Sequence, residues 1–358
     1  MSDRNYNMTD YETLELKQDY QETKKRCEAF WNGDIIDRPI VEIIAPNKDC
    51  EDAPDYTNNY YTRMNDDLDE IVERIISNTR KNLYMGEAIP RAFLSFGCDE
   101  MAAFCGGETL YFHGDDHYTN WSKPFVDDWE AEFPLGVRED NHLWLRMQAL
   151  MDKCAEAMQG KMLFYAIDLH SNLDLLLAMR GGERLCLDLI ERPEIIEKAL
   201  EQSMKIYEYI FNRAFKKYNL PGAARRITLQ CDFSCMIGPQ MFRRFALPYL
   251  EQEAEYNKGR VSYHWDGVGA LTHTDDLIAS KGLYRLDFLP GEGNGQYRDF
   301  LDLYDKIQKG GKAVSVGGSP DEVKYLHKYL RPEKTVYHTY TRTAEEAEEL
   351  LEWFWKNT

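Results

Sequence analysis

The sequence predicts an α/β protein built as a single (β/α)8 TIM-type barrel, with an N-terminal helical arm and an insertion after the second strand. Three observations predict it: eight short runs rich in β-branched and aromatic residues, amphipathic helical patterns between most of them, and an alternation that continues to the C-terminus. A chain of 358 residues suits one such barrel, a fold that spans about 200 to over 400 residues.

The elements follow in order. A polar start precedes a helix over 19–32 that ends at Gly33, so residues 1–37 read as an arm and helix and 38–358 as the barrel. Strands are expected within RPIVEIIAP (38–46), AFLSF (92–96), KMLFYAIDL (161–169), RITLQCDF (226–233), RVSYHWDG (260–267), LYRLDFLPG (283–291), KAVSVGGS (312–319) and TVYHTYTRT (335–343). Between them, DDLDEIVERIISNTRKNL, PEIIEKALEQSMKIYEYIFNRAF, GPQMFRRFALPYLEQEAEYNKG and AEEAEELLEWFWK place apolar residues three and four apart, the spacing of a one-faced helix. The stretch from about 97 to 160, containing GGETLYFHGDDHYTNWSKPFVDDWEAEF, reads as an inserted β-hairpin or long loop. No G-x-G-x-x-G follows the first strand and no P-loop occurs, which leaves a dinucleotide or nucleotide fold without its anchor.

Composition narrows the function classes. With 43% apolar residues the chain buries a core and is not a disordered polymer. A formal net charge of −19 repels a phosphate backbone, so nucleic acid is excluded as a partner, and a polyanionic substrate is disfavoured unless local arginines overcome the field. No apolar run of membrane-spanning length and no signal-type N-terminus is present, from which a cytoplasmic protein without membrane contact is expected. The eight cysteines are scattered with no C-x-x-C, so reduced thiols are expected.

In a barrel of this kind chemistry sits at the C-terminal ends of strands. Asp168 and His170 end the third expected strand, Cys231 and Asp232 the fourth, His264 and Asp266 the fifth, and Asp287 and Glu292 the sixth; the last offers His338, Tyr340 and Arg342. His264 and Asp266, two apart on a strand, face the same side, where an imidazole and a carboxylate hold a metal or form an acid/base pair. The blander alternative makes Asp266 a helix cap and His264 a core histidine. Similar pairs of readings hold elsewhere. His170 lines the pocket or opens a helix with Ser171 and Asn172. Cys231 and Cys235 are ligands or small buried apolar groups. Tyr118, Trp121, Phe125 and Trp129 wall the substrate or pack the insertion. Tyr340 and Arg342 bind a substrate carboxylate, or Arg342 pairs with Glu345 and Glu346.

HWDGVGALTHTDDLIASKGLYRLDFLPGEG resembles the fifth-strand region of the uroporphyrinogen decarboxylase-like superfamily, where His-x-Cys-Gly or a variant precedes a helix and an apolar strand. FCGGETLYFHGDDHYTNWSKPFVDD, DLLLAMRGGERLCLDLIERPEIIEKAL, CDFSCMIGPQMFRRFALPYL and GGSPDEVKYLHKYL are similar to further segments of that superfamily in the same order, over roughly residues 20–356. The resemblance implies one of two chemistries. True uroporphyrinogen decarboxylases grip an octacarboxylate with an N-terminal arginine-rich motif, but here no arginine separates Arg38 from Arg63, and Glu51, Asp52 and Asp55 fill the loop. The corrinoid-dependent methyltransferases resemble this chain in lacking that motif. Their zinc site implies a metal ligand at His264, with Asp266 standing where they have Cys and no later Cys present.

The resemblance therefore implies a methyltransferase moving a methyl group between a small donor and a corrinoid protein or thiol. The expected Zn2+ lies on His264 and Asp266 with Glu292 or Cys231, and a partner protein carries the corrinoid. The alternatives are a cofactor-independent decarboxylase of a small acid or porphyrinogen-like substrate, using Asp232, His264 and Asp266 as its acid/base set, and a catalytically silent binding barrel. Asp168, His170, Trp121, Tyr340 and Arg342 are expected to touch substrate, and a homodimer is expected from the family.

Overall fold

A computed structural model describes residues 11–50, 52–113, 118–165, 167–218, 227–259 and 261–358. Eleven strands form among them: β1 (Ile40–Pro46), β2 (Asn82–Gly86), β3 (Arg91–Phe93), β4 (Glu108–His113), β5 (Tyr118–Lys123), β6 (Leu163–Tyr165), β7 (Ile227–Gln230), β8 (Val261–Asp266), β9 (Arg285–Leu289), β10 (Ala313–Gly318) and β11 (Thr335–Tyr340). The result is a mixed α/β fold in which each expected strand run contributes a strand.

The main sheet has the order β2-β1-β11-β10-β9-β8-β7, parallel throughout except for β2. A separate parallel pair joins β3 to β6, and β4 and β5 form an antiparallel hairpin. Val41, Ile43, Leu229, Val261, Tyr263, Trp265, Leu286, Phe288, Val314 and Val316 are all buried, as expected for strands covered on both faces by helices.

The closed eight-stranded ladder predicted from the sequence is not formed among the described residues. Between β1 and β3 the physical reason is β2, an antiparallel strand that occupies the edge of β1 a closed barrel would offer to β3. β2 is hard to see in the sequence because NLYMG begins in the tail of a helical pattern and carries no alternation. Gly86 is what lets it approach: at φ +61 a Cβ there would lie 2.2 Å from the Val41 carbonyl oxygen. The arm holds β2 from outside, since Lys17 Nζ donates to the carbonyls of Tyr84 and Gly86. Immediately beyond β2, the buried carboxylate of Glu87 accepts two bonds from Arg38, at 2.5 and 2.8 Å, and a third from the Val41 amide.

Side chains span the other seam, between β6 and β7. Gln230 Nε2 donates to Asp168 Oδ1 at 2.5 Å, and Asn172 Nδ2 donates to the Gln230 carbonyl at 3.0 Å.

The arm helix runs Tyr20–Trp31 and stops at Gly33, which adopts φ +76. The insertion contains the β4–β5 hairpin, seated where Gly97 takes φ +127 and a Cβ would meet Asn120 Oδ1 at 1.9 Å. No helix among the described residues is long and apolar enough to cross a membrane.

Candidate functional site at the ends of β6, β7 and β8

A cavity of about 590 Å³ opens where β6, β7 and β8 end, lined by Arg91, Phe93, Cys98, Asp168, His170, Gln230, Asp232 and His264 among others. Its volume is that of a small-molecule site. A larger groove of about 1070 Å³ lies elsewhere, along the helix Leu68–Arg80, but most of its charges are already paired on the surface, as Arg74 is with Asp66 and Glu70.

The chemistry converges on two histidines and their carboxylates. His170 Nε2 lies 3.2 Å from Asp168 Oδ2, and its Nδ1 lies 3.6 Å from Asp174 Oδ2. Burial works against charging this ring, but Asp168 and Asp174 outweigh it and hold the imidazole pKa well above its ordinary value. Burial likewise opposes ionisation of Asp168, yet His170 prevails and keeps that carboxyl low. The geometry of His170 and Asp168 thus favours the imidazolium–carboxylate form of the pair.

Asp174, on the first turn of the helix Asn172–Arg180, crosses to the β7 end and accepts the amide N–H groups of Asp232 and Phe233, both at 2.9 Å. That bond pair fixes the short 3-10 turn Asp232–Met236 and with it the Asp232 side chain. Asp232 Oδ1 is buried and has no hydrogen-bond partner among the described residues, while His264 Nε2 stands 3.9 Å from it. Desolvation, then the charge of Asp174, push the Asp232 carboxyl up to about 6 against the pull of His170 and His264.

A second layer supports this centre. Glu100, buried, accepts the amides of Phe96 and Asp168 at 2.7 and 2.8 Å, and burial pushes it up to about 8. Glu253, also buried, accepts Ser171 Oγ at 2.5 Å and is likewise pushed up to about 8 by desolvation, with Oε2 left unpartnered. Between them Asn172 adopts φ +49, a left-handed conformation that a non-glycine residue holds only where its surroundings dictate it.

Of the sequence-predicted residues, Asp168, His170, Asp232 and His264 come together on the cavity. Asp266 ends β8 exposed, beyond the cavity lining, and does not cap the following turn. Cys231 is buried, and burial, then Asp174, push its thiol well above the ordinary value, so it is a packed neutral group. Glu292 is exposed on the loop after β9. The expected ligand set His264, Asp266, Glu292 and Cys231 is therefore not gathered. Among the described residues the one grouping with three ligand atoms within 4.8 Å is His170, Asp174 and Asp232.

Tyr340 is 72% exposed, and Arg342 is exposed with its backbone N–H, rather than its guanidinium, bonded to Glu346. Trp121 is 51% exposed on the hairpin, Phe125 is partly buried against the core, and Trp129 is fully buried with Nε1 donating to Asp188. The side chain of Tyr118 lies outside the described residues. Asp174, Gln230, Glu100 and Glu253 escaped the sequence reading. Asp174 alone left a signal, four residues after His170 at a helix start.

No known protein family matches the chain, and no curated protein matches it by sequence. Solved structures match it by fold: 14 chains do so, among them a methyltransferase from Methanosarcina mazei. That structure is similar to this one with a TM-score of 0.58 at 13% identity, covering 93% of this chain and 98% of the other. The likeness is one of fold, extending over essentially the whole of both chains.

Proposed function

We propose that the chain is a methyltransferase of the uroporphyrinogen decarboxylase-like group, its strand arc an opened (β/α)8 barrel, acting on a small methyl donor held in the cavity at the ends of β6–β8. The observation that carries the reading is Asp232: a carboxyl with one buried oxygen that is unpartnered among the described residues, pushed up to about 6, with His264 beside it. The shared fold with a methyltransferase supports the same reaction class.

In the transfer, the bond from the donor's oxygen or nitrogen to the methyl carbon breaks and the heteroatom keeps the electron pair. The methyl carbon accepts a lone pair from the acceptor. Asp232 delivers its proton to the departing heteroatom, and His264 stands within reach to help restore it. The His170–Asp168 pair and Gln230 hold the wall against which the donor is oriented.

Asp232 and His264 also fit a divalent cation through hard oxygen and nitrogen donors, Oδ1 being free to coordinate. When bound, such a cation supplies Lewis acidity toward the heteroatom. His170 and Asp174 are held by other groups, and Cys231 and Glu292 do not reach, so the thiolate-type zinc site does not fit this residue set. The reading assigns the corrinoid to a partner protein.

The test is methyl transfer from a panel of methyl ethers and methylamines to reduced cobalamin, followed by its visible spectrum, together with metal content of the purified protein. Wild type should transfer. Asp232→Asn and His264→Ala should each lose about 10²-fold or more in kcat, the scale of a general acid, and any bound metal. Full activity in Asp232→Asn would overturn the assignment.

A second reading, decarboxylation of a small acid, draws on the same Asp232 as proton donor to the carbanion. It is separated from the first by release of CO2 without an acceptor.

A further inference from the structure

Beside the strand-end cavity lies a second one, also of about 590 Å³, lined by Asn58, Tyr60, Arg63, Asn78, Tyr84 and Arg91 among others. Arg91 and Phe93 line both, so the two cavities meet there.

Arg63 is the unusual group. It is only 6% exposed, yet every bond it makes goes to a neutral acceptor. Nε donates to the Ser95 carbonyl at 2.7 Å, and Nη1 to the carbonyl and side-chain oxygen of Asn58 at 3.1 and 3.2 Å. Its Cζ sits 5.2 Å from the centre of the Tyr60 ring. No carboxylate among the described residues forms an ion pair with it. The buried acid nearest in effect, Glu100, is pushed up to about 8 and is largely uncharged at neutral pH.

A buried cation without a counter-charge is costly and is retained where something else supplies the charge. Among the described residues its Nη2 edge makes no hydrogen bond and remains for a ligand, and a planar guanidinium is matched by a planar carboxylate. Arg91, held 3.8 Å from Glu42, adds a second guanidinium on the path between the cavities. In a chain of net charge −19 the buried Arg63 is a local positive charge, the arginine exception that a repelled anion requires.

We propose that the Arg63 cavity is a carboxylate subsite, so that the substrate is a small organic acid. Its anionic end is held by Arg63 and Arg91 and its reacting end lies past Phe93, beside Asp232 and His264. The substrate class rests on the reaction reading given above; the anion site itself does not.

Isothermal titration of the purified full chain with benzoate and succinate, against benzamide and succinamide as neutral counterparts, tests it. Wild type is expected to bind at least one acid ten or more times tighter than its amide. Arg63→Gln and Arg91→Gln should each erase that preference, while His264→Ala keeps it. Absence of the preference in wild type, or its survival in both arginine variants, overturns the subsite. Arg91→Gln decides alone if a thermal melt shows that Arg63→Gln does not fold. Acid binding without methyl transfer from any donor would leave the subsite standing and remove the reaction reading; transfer without acid preference would do the reverse.

Discussion

At the scale of single residues, Asn172 and Glu253 show what the site asks of its support. Asn172 holds a left-handed backbone while donating to the Gln230 carbonyl and accepting the Leu173 amide. Asn172→Ala loses these bonds and keeps the strain, so it should cost about 2–3 kcal/mol by denaturant titration; Asn172→Gly, free of the strain, should cost less.

Glu253 makes a pH prediction whose sign follows from proton counting. Folded, its carboxyl keeps the proton to about pH 8, whereas unfolded it releases it near the ordinary 4.5. Between those values the folded state binds more protons, so this group's contribution to stability falls as pH rises across the interval and is flat above it. Glu253→Gln should therefore be close to neutral at pH 5 and more stable than wild type at pH 9, by an amount on the order of 4 kcal/mol at most. Equal pH profiles for the two proteins would contradict the raised value.

At the scale of elements, strands were easy to read and their partners were not. Apolar β-branched runs mark β7 to β11 because strands buried on both faces must be apolar throughout, a local property. Which edge pairs with which is not local. The weak NLYMG segment takes the edge of β1 through a glycine approach that no periodicity announces, and the main sheet ends there.

The site divides the same way. Asp168, His170, Asp232 and His264 were legible because strand ends and two-residue spacing are visible in a sequence. Glu292 and Cys231 were misplaced as ligands because a loop's course and a side chain's burial are decided by the packed core. Arg63 was visible only as an isolated arginine; its burial gives it meaning.

Two element-level substitutions follow. Gly97→Ala drives a methyl into Asn120 and should unseat the hairpin, costing about 2–4 kcal/mol with increased proteolysis between residues 107 and 124. Glu87→Gln strands the Arg38 guanidinium at the β1–β2 junction and should cost about 3–5 kcal/mol.

At the scale of the whole molecule, a net charge of −19 makes the chain repel itself. Its melting temperature at pH 8 should rise as salt screens that repulsion, and gel-shift assays with DNA or RNA should show no complex at physiological salt.

The two seams without ladder bonds reach further than shape. Strands β3 and β6 form a panel tied to the main arc through side chains, so their amides should take up deuterium from solvent well before those of β8 to β11. The cavity straddles the seam between β6 and β7, with Asp168 on one bank and Asp232 and His264 on the other. A ligand touching both banks would act as the missing stitch, slowing isotope uptake in β3 and β6 while leaving the main arc unchanged.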